Sequence, residues 1–181
     1  MTLEDTFATW YREHYWAVSR YVARRLTDQP EDVRDVVAEV FATAWRRRGA
    51  VPPEVLPWLY GVAGNVVGNE RRRRARQRRL LHRLSLDRSA LPGEPADPGD
   101  VVEQALARLS ESDREVLRLV AWEELTTEEL ALVLRCSRSA AAMRLSRARA
   151  RLRDRVAERW TTASVREPTG VRAHPTLRGM A

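Results

Sequence analysis

Apolar side chains return at intervals of three, four and seven residues along most of the chain, and sustained period-two alternation is absent. That spacing places them on one face of an α-helix, so helices are predicted throughout and strands nowhere. Phe7, Trp10, Tyr11, Val18, Val22 and Leu26 define a first helix, with Thr2 to Asp5 shaped like a capping box at its start. Val33, Val36, Val37, Val40, Phe41, Ala44 and Trp45 form a second stripe, opened by Asp28 and Pro30. Beyond a Pro-rich loop at 49–57, GAVPPEVLP, a third helix is predicted from about Pro57 to Arg79 on the stripe Leu59, Val62, Ala63, Val66 and Val67.

Four shorter patterns follow. Val102, Ala105, Leu106 and Leu109 give one helix, and Ser112 with Glu115 is expected to cap the next, which carries Val116, Leu117 and Val120. Thr126 with Glu129 opens a short helix containing Leu130, Val133 and Leu134. After a tight connection at Arg135 and Cys136, Ser137 caps a long helix with Ala141, Leu145, Ala148, Leu152 and Val156. A short helix, a tight turn and a longer basic helix make a helix-turn-helix layout.

Between these two sets of helices, residues 87–100 read DRSALPGEPADPGD, with three prolines, two glycines and almost nothing apolar. Proline removes helix donors, and fourteen extended residues span about 50 Å, so the stretch is predicted to be a flexible tether. The expected architecture is all-α: a helical domain at 1–86, a linker at 87–100, a helix-turn-helix domain at 101–160 and a loose, disordered tail at 161–181.

The 181 residues are 44% hydrophobic and 31% charged, enough apolar material to bury a core. All 32 basic residues are arginine, and lysine and isoleucine are both absent, a bias that a GC-rich genome explains. Charge alternates in blocks: −3 over 1–45, +9 over 46–86, −8 over 87–134 and +9 over 135–181. Basic blocks suit phosphates, and acidic blocks repel nucleic acid and suit a protein partner.

Other classes are disfavoured. A single cysteine, Cys136, forms no internal disulfide and is expected to pack as a small hydrophobe. His14, His82 and His174 stand far apart, so neither a metal nor a cofactor is expected. No apolar run is long enough to span a bilayer and the N-terminus lacks a signal-peptide layout, which predicts a cytoplasmic protein without membrane insertion. Adjacent pairs such as Glu123 with Glu124 point in different directions on a helix, and there is no phosphate loop, so no enzyme activity is expected.

Arg144, Arg147, Arg151 and Arg155 recur every three or four residues, opposite Ala141, Leu145, Ala148 and Leu152. A helix lying in the major groove needs that division, apolar toward its own domain and guanidinium toward bases and phosphates.

With these motifs in view, residues 5–160 resemble the extracytoplasmic-function (ECF) group of bacterial RNA polymerase sigma factors. DVVAEVFATAW (Asp35 to Trp45) and WLYGVAGNVVGNERRRR resemble the family's second conserved region. The run Leu109, Arg114, Glu115, Val116, Leu117, the step Glu128 to Ala131 and the close RLSRARARL (Arg144 to Leu152) resemble its fourth. The resemblance implies that Asp35, Glu39 and Phe41 dock on core RNA polymerase. It implies that Asn65, Asn69, Arg71, Arg72, Arg73, Arg74 and Trp58 engage promoter DNA at the minus-10 element. Whether Trp58 and Tyr60 stack on bases or only pack in the core is left open by their helical spacing. At the minus-35 element, Ser139, Arg144 and Arg147 are expected on DNA and Arg138 and Arg149 on phosphates, with Ala142 and Met143 offering methyl contacts to thymine. The chain departs from the family at Arg135, where a glycine is common. An anti-sigma protein is the further partner that the resemblance implies. The competing reading is a free-standing helix-turn-helix regulator whose N-terminal helices dimerise or sense a signal.

Overall fold

A computed structural model describes residues 3–27, 30–84 and 101–164. The expected cap residue Thr2, the opening Asp28, the linker at 87–100 and the tail beyond residue 164 lie outside the described residues. Helices α1 (Leu3–Ala23), α2 (Val33–Arg46) and α3 (Val55–Leu84) form one group. Helices α4 (Val101–Ala107), α5 (Glu111–Ala121), α6 (Thr127–Leu134) and α7 (Arg138–Ser164) form the second. Single 3-10 turns at Pro30–Asp32 and Arg48–Ala50 precede and follow α2, and no strand occurs among the described residues.

The apolar stripes read from the sequence are the buried faces. In the first group Val18, Tyr21 and Val22 meet Val36, Val37, Val40, Phe41 and Ala44 of α2 and Leu59, Val62, Ala63 and Val67 of α3. An aromatic set closes one side, with Phe7 5.0 Å from Trp45 and Tyr11 4.8 Å from Phe41 between ring centres. In the second group Val116, Leu119, Leu130, Ala131, Ala141, Leu145 and Ala148 are buried together. Each fully buried Val or Leu contributes roughly 1.5–3 kcal/mol relative to an exposed one, so these stripes drive the fold.

Three boundaries differ from the sequence pattern. α3 starts at Val55, ahead of Pro57, because a proline in the first helical turn lacks only a donor that would have no partner there. It also runs on past Arg79 to Leu84. The cap of α5 is Ser110 and not Ser112: the Ser110 hydroxyl accepts from the Asp113 backbone N–H at 3.1 Å, and Ser112 lies inside the helix.

Two end motifs position the rest of the second group. Arg114 donates from Nε to the Leu106 carbonyl at 2.9 Å and from Nη2 to the Ala107 carbonyl at 2.7 Å, satisfying the last carbonyls of α4. The reciprocal capping box at α6 forms as expected, Thr126 with Glu129.

The two groups pack on each other. α3 lies along α6, and Gly61 presents bare backbone to Val133, where an added Cβ would sit 3.4 Å from the Val133 carbonyl oxygen. Sequence analysis treated the two groups as separate bodies on a tether and gave no sign of this contact.

Candidate nucleic-acid interface

α2 and α3 cross over an open cleft of about 550 Å³. It brings Asn65, Asn69, Arg72 and Arg73 together, and adds Arg46, Arg47 and Arg76, which sequence reasoning did not single out. The available signals were the Arg run at the end of α2 and the one-turn spacing of Arg76 from Arg72. Asn65 is exposed and donates to the Gly61 carbonyl at 2.9 Å, leaving its amide oxygen toward the cleft side of the helix. Asn69, one turn on, accepts from Arg72 at 2.7 Å.

The four arginines of the run are not equivalent. Arg73 and Arg74 both donate to Glu70, at 2.7 and 2.6 Å, and Arg74 also pairs with Asp32. Arg71 reaches away to the Arg25 carbonyl and to Glu111 of the second group. Arg72 and Arg73 are exposed, while Arg71 and Arg74 are half-buried. Sequence spacing suggested one uniform basic surface. The fold divides it into outward arginines and arginines engaged in internal pairs.

The aromatic question resolves differently for its two residues. Tyr60 is 4% exposed, stacked on Tyr21 with ring centres 5.0 Å apart, so it is core. Burial, helped by the negative charge of Glu123, pushes its phenol up to about 12. Trp58 is half-buried against the core.

On α2, Asp35 and Glu39 are exposed. Glu39 accepts from Arg46 at 2.9 Å at the rim of the cleft, an exposed pair whose worth is about 0–1 kcal/mol. Phe41, expected on the same docking face, is 4% exposed and packs against Tyr11 and Tyr15. A large aromatic three residues after a buried Ala or Val on an amphipathic helix falls on the inward stripe, so its contribution is to hold α2 in place.

In the second group the helix-turn-helix is formed by α6 and α7. Its turn is a Schellman arrangement, with the Cys136 N–H on the Ala131 carbonyl at 3.1 Å and the Arg135 N–H on the Leu132 carbonyl at 3.2 Å. Arg135 takes the left-handed conformation, φ 49° and ψ 50°, which is the physical reason a glycine suits that position. Ser137 accepts from the Ala140 N–H at 3.2 Å and caps α7, as expected.

α7 buries Ala141, Leu145 and Ala148 and exposes Ser139, Ala142, Met143, Arg144, Arg147 and Arg149. Arg144, Arg147 and Arg149 have no ion-pair partner among the described residues, so their charge faces solvent uncompensated. Arg138 pairs with Glu128 at 2.6 Å, and Arg155 with Glu158 at 2.9 Å. Arg151, read from spacing as part of the outward face, instead grips Asp113 of α5. Among the described residues no cluster of His, Cys, Asp and Glu could hold a metal, and no helix is long and apolar enough to cross a membrane.

Comparison with known proteins agrees with this division. The Sigma-70 region 2 family model matches residues 10–77, and the Sigma-70, region 4 model matches residues 100–152. The "Probable RNA polymerase sigma factor RfaY" of Xanthomonas campestris pv. campestris is 30% identical over 162 residues, covering 83% of this chain and 40% of that protein. The chain thus spans less than half the length of that relative. The RNA polymerase sigma factor NccH of Alcaligenes xylosoxydans xylosoxydans is 29% identical over 142 residues, covering 72% of this chain and 76% of that one. Among solved structures, CnrH in complex with the cytosolic domain of CnrY is similar at 26% identity and a TM-score of 0.55, over 83% of this chain and 87% of that one. The sigma factor RpoE in complex with the anti-sigma factor NepR from Bartonella quintana shares the fold, with a TM-score of 0.59, 20% identity and coverage of 83% and 96%. With region 2 in its first helical group and region 4 in its second, the chain belongs to the sigma-70 family of RNA polymerase sigma factors, in the ECF group.

Proposed function

We propose that the chain is a dissociable cytoplasmic subunit of RNA polymerase that selects promoters and helps open them, while the polymerase performs the chemistry. The observation that carries this reading is that two basic surfaces of different design stand on the two groups of one chain. On the first, an asparagine-bearing cleft with Asn65, Asn69, Arg72 and Arg73 suits a separated strand, whose bases offer hydrogen-bonding edges that a duplex hides. On the second, an uncompensated arginine face on α7 suits a major groove. Unstacking a base costs a few kcal/mol, which contacts in such a cleft offset.

Residue by residue, Asn65, Asn69, Arg71, Arg72, Arg73 and Arg74 engage the minus-10 strand, with Trp58 at the edge of that surface. Ser139, Arg144 and Arg147 read minus-35 DNA, and Arg138 and Arg149 hold its phosphates. The exposed carboxylates Asp35 and Glu39 dock on a basic surface of core polymerase, where opposite charge steers encounter. An anti-sigma protein is a natural further partner, as CnrY and NepR are for CnrH and RpoE.

Run-off transcription with core polymerase and genomic templates tests the proposal. The expected result is specific transcripts that require both the chain and the core. Tight binding of the isolated chain to a palindromic site, with no core-dependent transcripts, would instead establish a free-standing regulator.

A further inference from the structure

The contact between the two helical groups is built around buried charge. Arg25, at the end of α1, has a side chain only 2% exposed. Its Nε donates to both oxygens of Glu115, at 3.1 and 2.9 Å, and its Nη1 donates to Glu123 at 3.1 Å and to the Tyr21 carbonyl at 3.1 Å. Tyr21 donates its hydroxyl to Glu115 at 2.8 Å, and Arg24 donates to Glu123, itself 2% exposed, at 2.6 Å. Two arginines of the first group thus neutralise two glutamates of the second, across more than ninety positions of sequence. Trp122 lies under the Arg24 guanidinium, 5.6 Å from the ring centre. Beside this cluster, Gly61 admits the backbone of α6 against α3, and Arg71 reaches Glu111.

We infer that this cluster is a latch: in the chain free of polymerase, region 4 is clasped on region 2 through Arg24, Arg25, Glu115 and Glu123, and DNA binding is held back until the latch opens. The inference rests on the promoter-binding reading above. Two physical consequences support it. First, the clasp engages part of the DNA surface, since Arg71 of the basic run is tied to Glu111. Second, elements centred near minus-10 and minus-35 lie roughly 80 Å apart on duplex at about 3.4 Å per base pair. A compact chain of this length is only about 40 Å across, so both elements cannot be held in the clasped form.

The chemistry of the clasp suits an opening contact. Ion pairs withdrawn from water gain attraction and lose hydration in nearly equal measure, so their separation into water is close to balanced. An apolar interface of the same extent would hold permanently. Charge pairs in fixed geometry give one register and remain reversible.

The test uses the full-length chain and two variants. Arg25→Glu puts a third negative charge against Glu115 and Glu123. Gly61→Leu wedges α3 from α6 with no change in charge, and circular dichroism verifies helix content in both. The expected result is an increase of a few ångströms in radius of gyration by small-angle X-ray scattering for each variant. Affinity of the free chain for a fork-junction minus-10 DNA, by fluorescence anisotropy, should rise at least threefold, in Arg25→Glu against its own lost positive charge. Adding Glu115→Arg and Glu123→Arg to Arg25→Glu should restore the wild-type radius. A wild-type chain already extended in solution, variants with the wild-type radius, or expansion without a gain in affinity would each overturn the latch. Run-off transcription with core polymerase keeps the two proposals apart: its absence in wild type and variants alike removes the sigma-factor reading, whereas transcription by all with unaltered radius and affinity removes the latch alone.

Discussion

One nitrogen of Arg151, on α7, lies 2.8 and 2.7 Å from the two carboxylate oxygens of Asp113, on α5. Asp113 also accepts from the Ser110 hydroxyl at 2.7 Å, so the cap of α5 and the DNA-facing helix meet at one carboxylate. The Ser110 hydrogen bond, and after it the Arg151 guanidinium, hold the Asp113 carboxyl below its ordinary range, against the opposing effect of burial. A carboxyl depressed in the folded state contributes stability that is present above its unfolded value near 4 and is lost as pH falls through the folded value. Asp113→Asn should therefore cost about 1–2 kcal/mol at pH 7. Urea denaturation at several pH values should show that difference shrinking below about pH 4.

The turn of the helix-turn-helix holds Arg135 at positive φ, a conformation that costs a side-chain-bearing residue about 1–2 kcal/mol relative to glycine. Glycine loses part of that gain through its freer unfolded state. Arg135→Gly should raise stability by about 0.5–1 kcal/mol, read as an increase in the thermal midpoint. No change or a decrease would show that the arginine side chain makes up for its backbone.

Arg144 and Arg147 face solvent, and Arg151 is bound to Asp113, so their alanine variants should fail in different assays. Arg144→Ala and Arg147→Ala should weaken binding of holoenzyme to minus-35 duplex by about 1–3 kcal/mol if they contact bases. If they contact phosphates, the slope of affinity against salt should fall by about one unit per residue. Neither should alter the unfolding midpoint. Arg151→Ala should lower the midpoint and leave the salt slope nearly intact.

On α2 the same contrast separates Phe41 from its neighbours. Asp35→Arg and Glu39→Arg should reduce retention of the chain on immobilised core polymerase by on the order of tenfold or more, with folding unchanged. Phe41→Ala should instead cost about 3–5 kcal/mol of stability, as for a large aromatic removed from a core. Undiminished retention of the Asp35 and Glu39 variants would move the docking surface elsewhere.

The helices were legible because their signals are short-range. Val36, Val40 and Ala44 are buried as their spacing requires, and the Thr126 with Glu129 box and the Ser137 cap form where their side chains reach a backbone N–H within the same turn. Where two serines compete for one helix start, spacing is not enough: Ser110 caps α5 because its hydroxyl meets the Asp113 N–H. The cleft was legible in part. Asn65 and Asn69 stood out through their spacing, whereas Arg46 and Arg47 join them only because α2 and α3 cross there.

By itself, then, the sequence determined an all-α chain with two helical groups, an arginine face on the last long helix and exposed acids on α2, since periodicity and caps are properties of neighbours in the chain. The tertiary structure alone decided which charges remain free. Arg25, Arg71 and Arg151 find Glu115, Glu111 and Asp113 across 90, 40 and 38 positions, respectively, and no local pattern encodes a partner at that range. The same long-range packing turned Phe41 and Tyr60 inward and brought the two groups together, because burial depends on what lies opposite a side chain and not on its place in the sequence.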